Sequence, residues 1–452
     1  MFTANSRSYG ISIRLFWGSV GKEISSASST KNYIMLEEKR LESFSLTSSL
    51  LVPWLYGNFI YSDDKRNSKL INLIDAPIIY GQISFCQYDG AGSSYSAETI
   101  KPFKPEVFAE TVIIDSFSVV KEDDNTMTFS FKFSMEDSVA FNSSLNPVST
   151  FTDKEKTMKL KNLVKELFAA SNTNSTFDYS TIKIDADIPF ISSPNSTFMN
   201  SIEYVYRKIF DSNFENRNGK DFCKVVYNNG EQKYELWRFG DIGTKAMFKC
   251  NSTDAYYKNL RENIAVTVIK DSAPTPNSAS FINTGNARDL HSIFGDKTFV
   301  SYDYLKNSFN NIVDAHADTE FSSLKDGLNP NKRSKAYVAK MHSAYSLELD
   351  FSNQYSTYRD NGSLYDVFNN MIFDSSCMRV TTLGCLGRYA GSGIALSFKN
   401  ADMTPYKHLG GNYVVTGITH NASRNGDEWE FMSVMDVYSP FMESDSIKNP
   451  NY

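Results

Sequence analysis

Polar and apolar residues alternate in long runs toward both ends of the chain, and between them the spacing turns helical. In Thr126–Ser134, Met127, Phe129, Phe131 and Phe133 fall on one face and Thr128, Ser130 and Lys132 on the other. That period of two predicts a half-buried strand. It predicts a hairpin with Val112–Val120 across Lys121–Asn125. Upstream, Ile11–Trp17 and Ile78–Phe85 read as strands, with shorter apolar pieces at Ile34–Leu36 and Ile71–Ile74. The Gly/Ser patch Asp89–Ser94, followed by Pro102 and Pro105, predicts a long loop.

From residue 147 the pattern changes. Thr152–Glu155 has the form of a capping box, and Leu160, Leu163, Val164, Leu167 and Phe168 then follow helical spacing. A second helix is predicted over Thr197–Phe210, and a hairpin joins Phe222–Tyr227 to Tyr234–Phe239. Ile264–Ile269 returns to β, and Asp271–Ser278 breaks it. Leu305, Phe309, Ile312 and Val313 fit a helix; Lys332–Lys335 reads as a solvated loop. Ser363–Asp366 caps a further helix carrying Leu364, Val367, Phe368, Met371 and Ile372.

The last stretch reads as strand, Gly-rich turn, strand, loop and hairpin. Its parts are Met378–Gly384, the turn Gly387–Gly393, Ile394–Phe398, Tyr413–His420 and Glu428–Val437, with Asn425–Gly426 as the tight hairpin turn. Trp429, Phe431, Met435 and Val437 share one face of the final strand, yet Met432 and Val434 occupy the other. A strand apolar on both faces has a core on one side and a second surface opposite. Tyr413, Trp429, Phe431, Met432 and Val434 are therefore candidate subunit-interface residues, with core packing as the plainer reading of Tyr413 and Trp429.

The fold class these patterns define is α+β and mostly β. Two hairpin-rich β domains are expected, at 1–146 and at 255–280 plus 375–440. A small α+β domain (147–254), an inserted mixed α/β domain (281–374) and a tail (441–452) complete the division. Repeated sheets of this kind suggest a tube, which is an assembly part.

Composition narrows the function. Of 452 residues, 46 are Lys or Arg and 52 Asp or Glu, for a net charge of −6. A general nucleic-acid binder is usually basic, whereas a mildly acidic lining lets phosphate pass without sticking. Aromatics reach 14%, which suits strands and large interfaces. Cys86, Cys223, Cys250, Cys377 and Cys385 are scattered without a CxxC pair, so free thiols in a reducing compartment are expected. No apolar run reaches the roughly 18 residues of a spanning helix, and cytoplasmic synthesis of a soluble chain is expected.

No motif with catalytic spacing stands out. His316 and His420 belong to no HExxH pattern. Asp185–Asp187 lacks the later Gly and Glu of a calcium loop. GxSxG, P-loop and GxGxxG patterns are missing, and Cys377 and Cys385 match no metal or redox spacing. No catalytic residue, metal or cofactor is expected. A pair of carboxylates for glycoside hydrolysis cannot be singled out among 52 acids.

The order of elements resembles the baseplate central hub protein of contractile-tailed bacteriophages, which is related to the hub part of type VI secretion spike proteins. Ile11–Trp17 resembles that family's opening strand, and Lys39–Ser49 the segment after it. Asp187–Phe198, running into the helix with Tyr204, resembles its middle-domain passage of proline, Ser/Thr-Phe and helix. Thr381–Phe398 and Tyr413–Ser423 resemble its closing tube domain. The likeness covers most of the chain in order, with 86–107 and 320–360 as apparent insertions.

The resemblance implies two tail-tube-like β-barrel or sheet domains per chain and a homotrimer. Three chains would present six similar units and join a six-fold tail tube to a three-fold spike. It implies a non-enzymatic structural protein of the virion baseplate, made in the host cytoplasm. Its partners would be its own copies, the tail tube protein, a spike or spike-lysozyme and baseplate wedge proteins, with DNA only in transit. The competing reading is a carbohydrate-binding or carbohydrate-cleaving β protein for host recognition, which should show a groove with clustered aromatics and paired acids.

Overall fold

Alternation at the two ends of the chain resolves into a single sheet. The structure is a computed structural model, and it describes residues 2–4, 7–17, 33–66, 68–73, 76, 78–88, 102–150, 157–192, 195–212, 222–229, 231–238, 276–281, 297–303, 308–313, 336–342, 369, 378–384, 386, 388–396, 411–425 and 428–438. The first eight strands are β1 (Phe2–Ala4), β2 (Arg7–Trp17), β3 (Tyr33–Leu36), β4 (Leu41–Ser49), β5 (Tyr56–Asp64), β6 (Ile79–Tyr88), β7 (Pro102–Glu122) and β8 (Thr126–Met135). The middle holds α1 (Asp137–Asn142), β9 (Met158–Lys159), α2 (Leu160–Ala170), β10 (Phe177–Asp178), β11 (Asp187–Ile188), α3 (Phe198–Ser212), β12 (Cys223–Asn228) and β13 (Lys233–Arg238). Then come β14 (Pro276–Phe281), β15 (Lys297–Asp303), β16 (Ser308–Val313), β17 (Ala336–His342), β18 (Met378–Leu383), β19 (Gly393–Leu396), β20 (Gly411–Asn425) and β21 (Glu428–Tyr438).

Thirteen strands form one sheet in the order β1-β2-β6-β7-β8-β5-β4-β20-β21-β18-β14, with β3 beside β2 and β19 beside β20. Every neighbouring pair in it is antiparallel. The two ends of the chain meet where β4 pairs with β20, from Ser49↔Gly417 to Ser43↔Ser423.

The core face carries the alternating aromatics. Phe131 stacks on Phe59 at 4.6 Å and on Phe117 at 5.5 Å. Phe44 meets Phe133 at 5.8 Å and Phe85 at 5.4 Å. Phe431 of β21 then packs edge-on against Phe85 at 5.0 Å and Tyr9 at 4.8 Å. β2 and β21 are not hydrogen-bonded neighbours, so the sheet curls to bring its two halves into one core. Such pairs each add about 0.5–1.5 kcal/mol beyond area burial.

Between β8 and β14 the chain builds a smaller α+β unit. Leu160, Leu163, Val164, Leu167 and Phe168 form the buried stripe of α2, as their spacing predicts. Phe198, Ile202, Val205, Tyr206 and Ile209 do the same for α3. Phe141 of α1 stacks on Phe198 at 4.6 Å and meets Tyr234 of β13 edge-on at 5.1 Å. β13 pairs antiparallel with β12 and parallel with β10.

Four expectations change. Pro276–Ser278, the end of the stretch read as a break, belongs to strand β14 and pairs with β18. Ser308–Val313 is strand β16, paired with β15, and not helix; over so few residues periodicity cannot separate the two, and Ile312 and Val313 are β-branched. β7 begins at Pro102, so its start falls inside the stretch read as loop. Asn425 is paired with Glu428 and ends its strand instead of making the turn. The expected capping box at Thr152–Glu155, the strand Ile264–Ile269, Leu305, the Lys332–Lys335 loop and the helix positions Leu364, Val367, Phe368, Met371 and Ile372 lie outside the described residues.

Gly57 shows how closely the central strands approach. A Cβ there would lie 2.0 Å from the Ser45 carbonyl oxygen and 2.7 Å from Phe133 Cζ. Gly57→Ala is expected to lower unfolding stability by about 1–3 kcal/mol, as overpacking does, seen as a lower urea midpoint. An unchanged midpoint would show that β4 and β5 do not meet here.

Candidate functional site

The face of the sheet turned away from the core has an unusual composition. On β4, Phe44 and Leu46 point inward, which leaves Ser43, Ser45, Thr47 and Ser49 on the other face. The register extends this polarity across strands. One row runs Ser134, Tyr56, Thr47, Thr419, Val434, Thr381. The next runs Lys132, Asn58, Ser45, Asn421, Met432. A third runs Ser130, Ile60, Ser43, Ser423, Glu430. Hydroxyls bridge strands: Thr47 and Thr419 at 3.1 Å, and Ser62 and Thr128 at 2.8 Å.

Charges on this face are few and nearly balanced. Lys132 and Glu430 stand singly, and Arg379 pairs with Asp436 at 2.8 Å. Glu42 accepts from Ser62, and Asp115 accepts from Ser134 at 3.0 Å. The result is a broad, weakly acidic polar surface, half-buried along much of β4 and β20 and with Ser45 and Ser134 buried. The sequence signal for it was the Ser/Thr alternation of Leu41–Ser49, whose polar half reads locally as ordinary solvent exposure.

The structure separates the five candidate interface residues. Phe431 is fully buried beneath the face, beside Tyr9, Phe85 and His420. Trp429 is half-buried against the same core. Met432 and Val434 are half-buried on the polar face, opposite Asn421 and Thr419. Tyr413 pairs with Ile394, and its side chain lies outside the described residues.

Beside the sheet, three parts of the chain lock together. The β12–β13 hairpin holds the segment from Leu386 to Ser392. Asn229 donates to the Leu386 carbonyl at 2.7 Å, and Tyr389 donates to Glu235 at 3.0 Å. Trp237 covers Gly391, which has φ +93° and where a Cβ would meet the indole at 2.9 Å. Arg388 from this segment is 2% exposed and donates to Thr382 at 2.7 Å. Its carbonyl accepts from His420 Nε2 at 3.1 Å, which leaves Nδ1 to accept from Ser433 at 2.8 Å. His420 is thus a core histidine.

A second buried group joins the α+β unit to the sheet. Glu110 of β7 accepts from Tyr227 of β12. Asp137 at the start of α1 accepts from Tyr234 at 2.9 Å, from Ser175 at 2.5 Å and from Thr173. Both carboxylates are therefore occupied by hydroxyls of the same chain. Asp185 and Asp187, which a calcium loop would require free, both bind Lys159 at 2.9 Å. Among the described residues no group of three or more His, Cys, Asp and Glu is placed to hold a metal ion, and no helix is long and apolar enough to cross a membrane. A cleft of about 560 Å³ opens where β4, β5 and β20 end, lined by charged residues of both signs including Arg40, Glu42, Asp64, Arg66 and Arg424, and by no aromatic.

No family model matches the chain, and no curated protein does. Solved structures similar to it include a tail protein from Neisseria meningitidis MC58, aligned over 95% of this chain and 97% of that one at 10% identity and a TM-score of 0.47. The 43 kDa tail protein of prophage MuSo2 from Shewanella oneidensis aligns over 95% and 98%, at 9% identity and 0.48. A Francisella PdpA–VgrG complex aligns over 96% of this chain and 53% of that one, at 10% identity and 0.47.

Burial, reinforced by the Arg388 charge, lowers the pKa of His420 from its ordinary 6.5 to about 4. The folded state keeps it neutral while the unfolded chain takes up a proton below about 6.5, so its contribution to stability is lost as pH falls from there toward about 4. The thermal midpoint of wild type should fall more steeply over that window than that of His420→Gln. Equal slopes would place the imidazole in contact with solvent.

Proposed function

We propose that this chain is the structural hub of a contractile tail or related injection machine: a homotrimeric adapter joining a six-fold tube to a three-fold spike. The observation that carries this reading is the single sheet built from both ends of the chain, with one apolar face sealed in a core and one weakly charged hydroxyl face left open. Three copies of such a sheet, arranged as a ring, would present that face to a central passage. The ordered sequence resemblance to baseplate hubs supports the same reading.

In this proposal residues 1–146 form one tube-like β unit and 255–280 with 375–440 the other, with β4–β20 as their seam. The face suits DNA that must leave without being held. Each cation that pairs with phosphate adds salt-sensitive affinity, and the rows described above carry one unpaired Lys among Ser, Thr and Asn. Met432 and Val434, with Phe431 as internal support and with Trp429 and Tyr413 toward opposite ends of the β20–β21 pair, are proposed to sit where copies meet. Tube protein, a spike or spike-lysozyme and wedge proteins are the proposed neighbours in the virion, and the chain has no catalytic role of its own.

Light scattering should give three times the chain mass, and the wild-type assembly should fail to retain duplex DNA at about 0.15 M salt. Thr47→Arg with Thr419→Arg should create retention that fades as salt rises. A monomer that binds polysaccharide would replace this reading with host recognition. Tight DNA binding by wild type would remove the passage argument.

A further inference from the structure

A tyrosine–carboxyl contact joins the segment beside β19 to the α+β unit at Tyr389 and Glu235. Glu110 and Tyr227 form a second, between β7 of the sheet and β12. Here a carboxyl group is half-buried with a tyrosine hydroxyl as donor. The Tyr227 ring lies edge-on to Tyr234 at 5.1 Å, and Tyr234 donates to the second carboxylate, Asp137.

The groups around this link are acids and hydroxyls. β7 supplies Glu110, β12 supplies Tyr227 and β13 supplies Tyr234. α1 supplies Asp137, with Glu136 just before it bonded through its backbone N–H to the Thr111 carbonyl at 3.1 Å. Thr173 and Ser175 complete the shell of Asp137. Glu235 of β13 is turned to Asn228 and Tyr389. Lys224, the cation of β12, lies within 3.3 Å of Glu203. Asp137 is satisfied by three hydroxyls, and among the described residues a negative charge on Glu110 has no cation to meet it.

We propose that a proton on Glu110 holds the α+β unit against the sheet, so that the junction is tightest in mild acid and loosens as the pH rises to neutral. Burial, reinforced by the Asp137 charge and opposed by the Tyr227 hydrogen bond, moves the Glu110 pKa from its ordinary 4.5 to about 7. The docked state therefore holds more protons than the undocked one between those values. Docking weakens as pH climbs through that window and is level above it. The effect is local, and it opposes the acid-side loss set by His420. Nothing in it depends on the hub reading.

Hydrogen exchange of residues 223–238, corrected for intrinsic rates and read at pH 5 and pH 7.5, tests the proposal on the full chain. Wild type should lose about tenfold or more of its protection in β12 and β13 between the two, and Glu110→Gln should show no such loss. Tyr227→Phe removes the donor and leaves the ring, so its loss of protection should continue to higher pH than in wild type. Equal wild-type protection at the two pH values, a Glu110→Gln loss as large as wild type's, or a Tyr227→Phe profile ending where wild type's ends would each overturn it.

Discussion

Pairing of β4 with β20 is the constraint on which the rest of the structure depends. It joins residues more than 360 positions apart, from Ser43↔Ser423 to Ser49↔Gly417. Without it β21 cannot reach the core, and Phe431 loses Tyr9 and Phe85. Closing so long a loop costs conformational entropy before any contact forms. The seam holds because it completes an aromatic core and because both strands would otherwise present open edges. β4 and β20 each gain a partner on both sides, with β5 on one flank and β21 on the other.

The same seam makes the exposed face continuous. A strand that turns every second residue into the core turns the others to the opposite face. In β4 and β20 those positions are Ser43, Ser45, Thr47, Ser49, Thr419, Asn421 and Ser423, of which Ser45 is buried and Ser423 exposed. Small hydroxyls satisfy one another and hold water without adding charge. The α+β unit and the segment from Leu386 to Ser392 then brace the sheet from the side. Gly391 is required there because Trp237 occupies the space a side chain would need.

Much of the local structure is legible in the sequence. Met127, Phe129, Phe131 and Phe133 state their strand by period two, and α2 and α3 state their helices by apolar stripes that the structure buries. The β12–β13 hairpin is readable because its strands are adjacent in the chain. What lies beyond a local window is different in kind. The partner of Ser43–Ser49 is set by a core that only the folded chain assembles. The polar face is not visible as a site, since its residues read singly as exposed positions. Ser308–Val313 is misread as helix because Phe309, Ile312 and Val313 fall at i, i+3 and i+4 over a run too short to test that spacing. The Glu110–Tyr227 link joins residues 117 apart that carry no motif.

The most direct test of the account is a cross-link across the seam. The hydroxyls of Thr47 and Thr419 are 3.1 Å apart, and paired strands bring Cβ atoms near the 3.5–4.5 Å that a disulfide needs. A Thr47→Cys, Thr419→Cys chain, oxidised under native conditions and digested, should yield one tryptic pair joining the two peptides by mass spectrometry. That bond should form within a single chain at high dilution. Recovery of both engineered cysteines unlinked, or linked only between chains, would mean that the two ends of the chain do not share a sheet, and the continuous polar face would go with it.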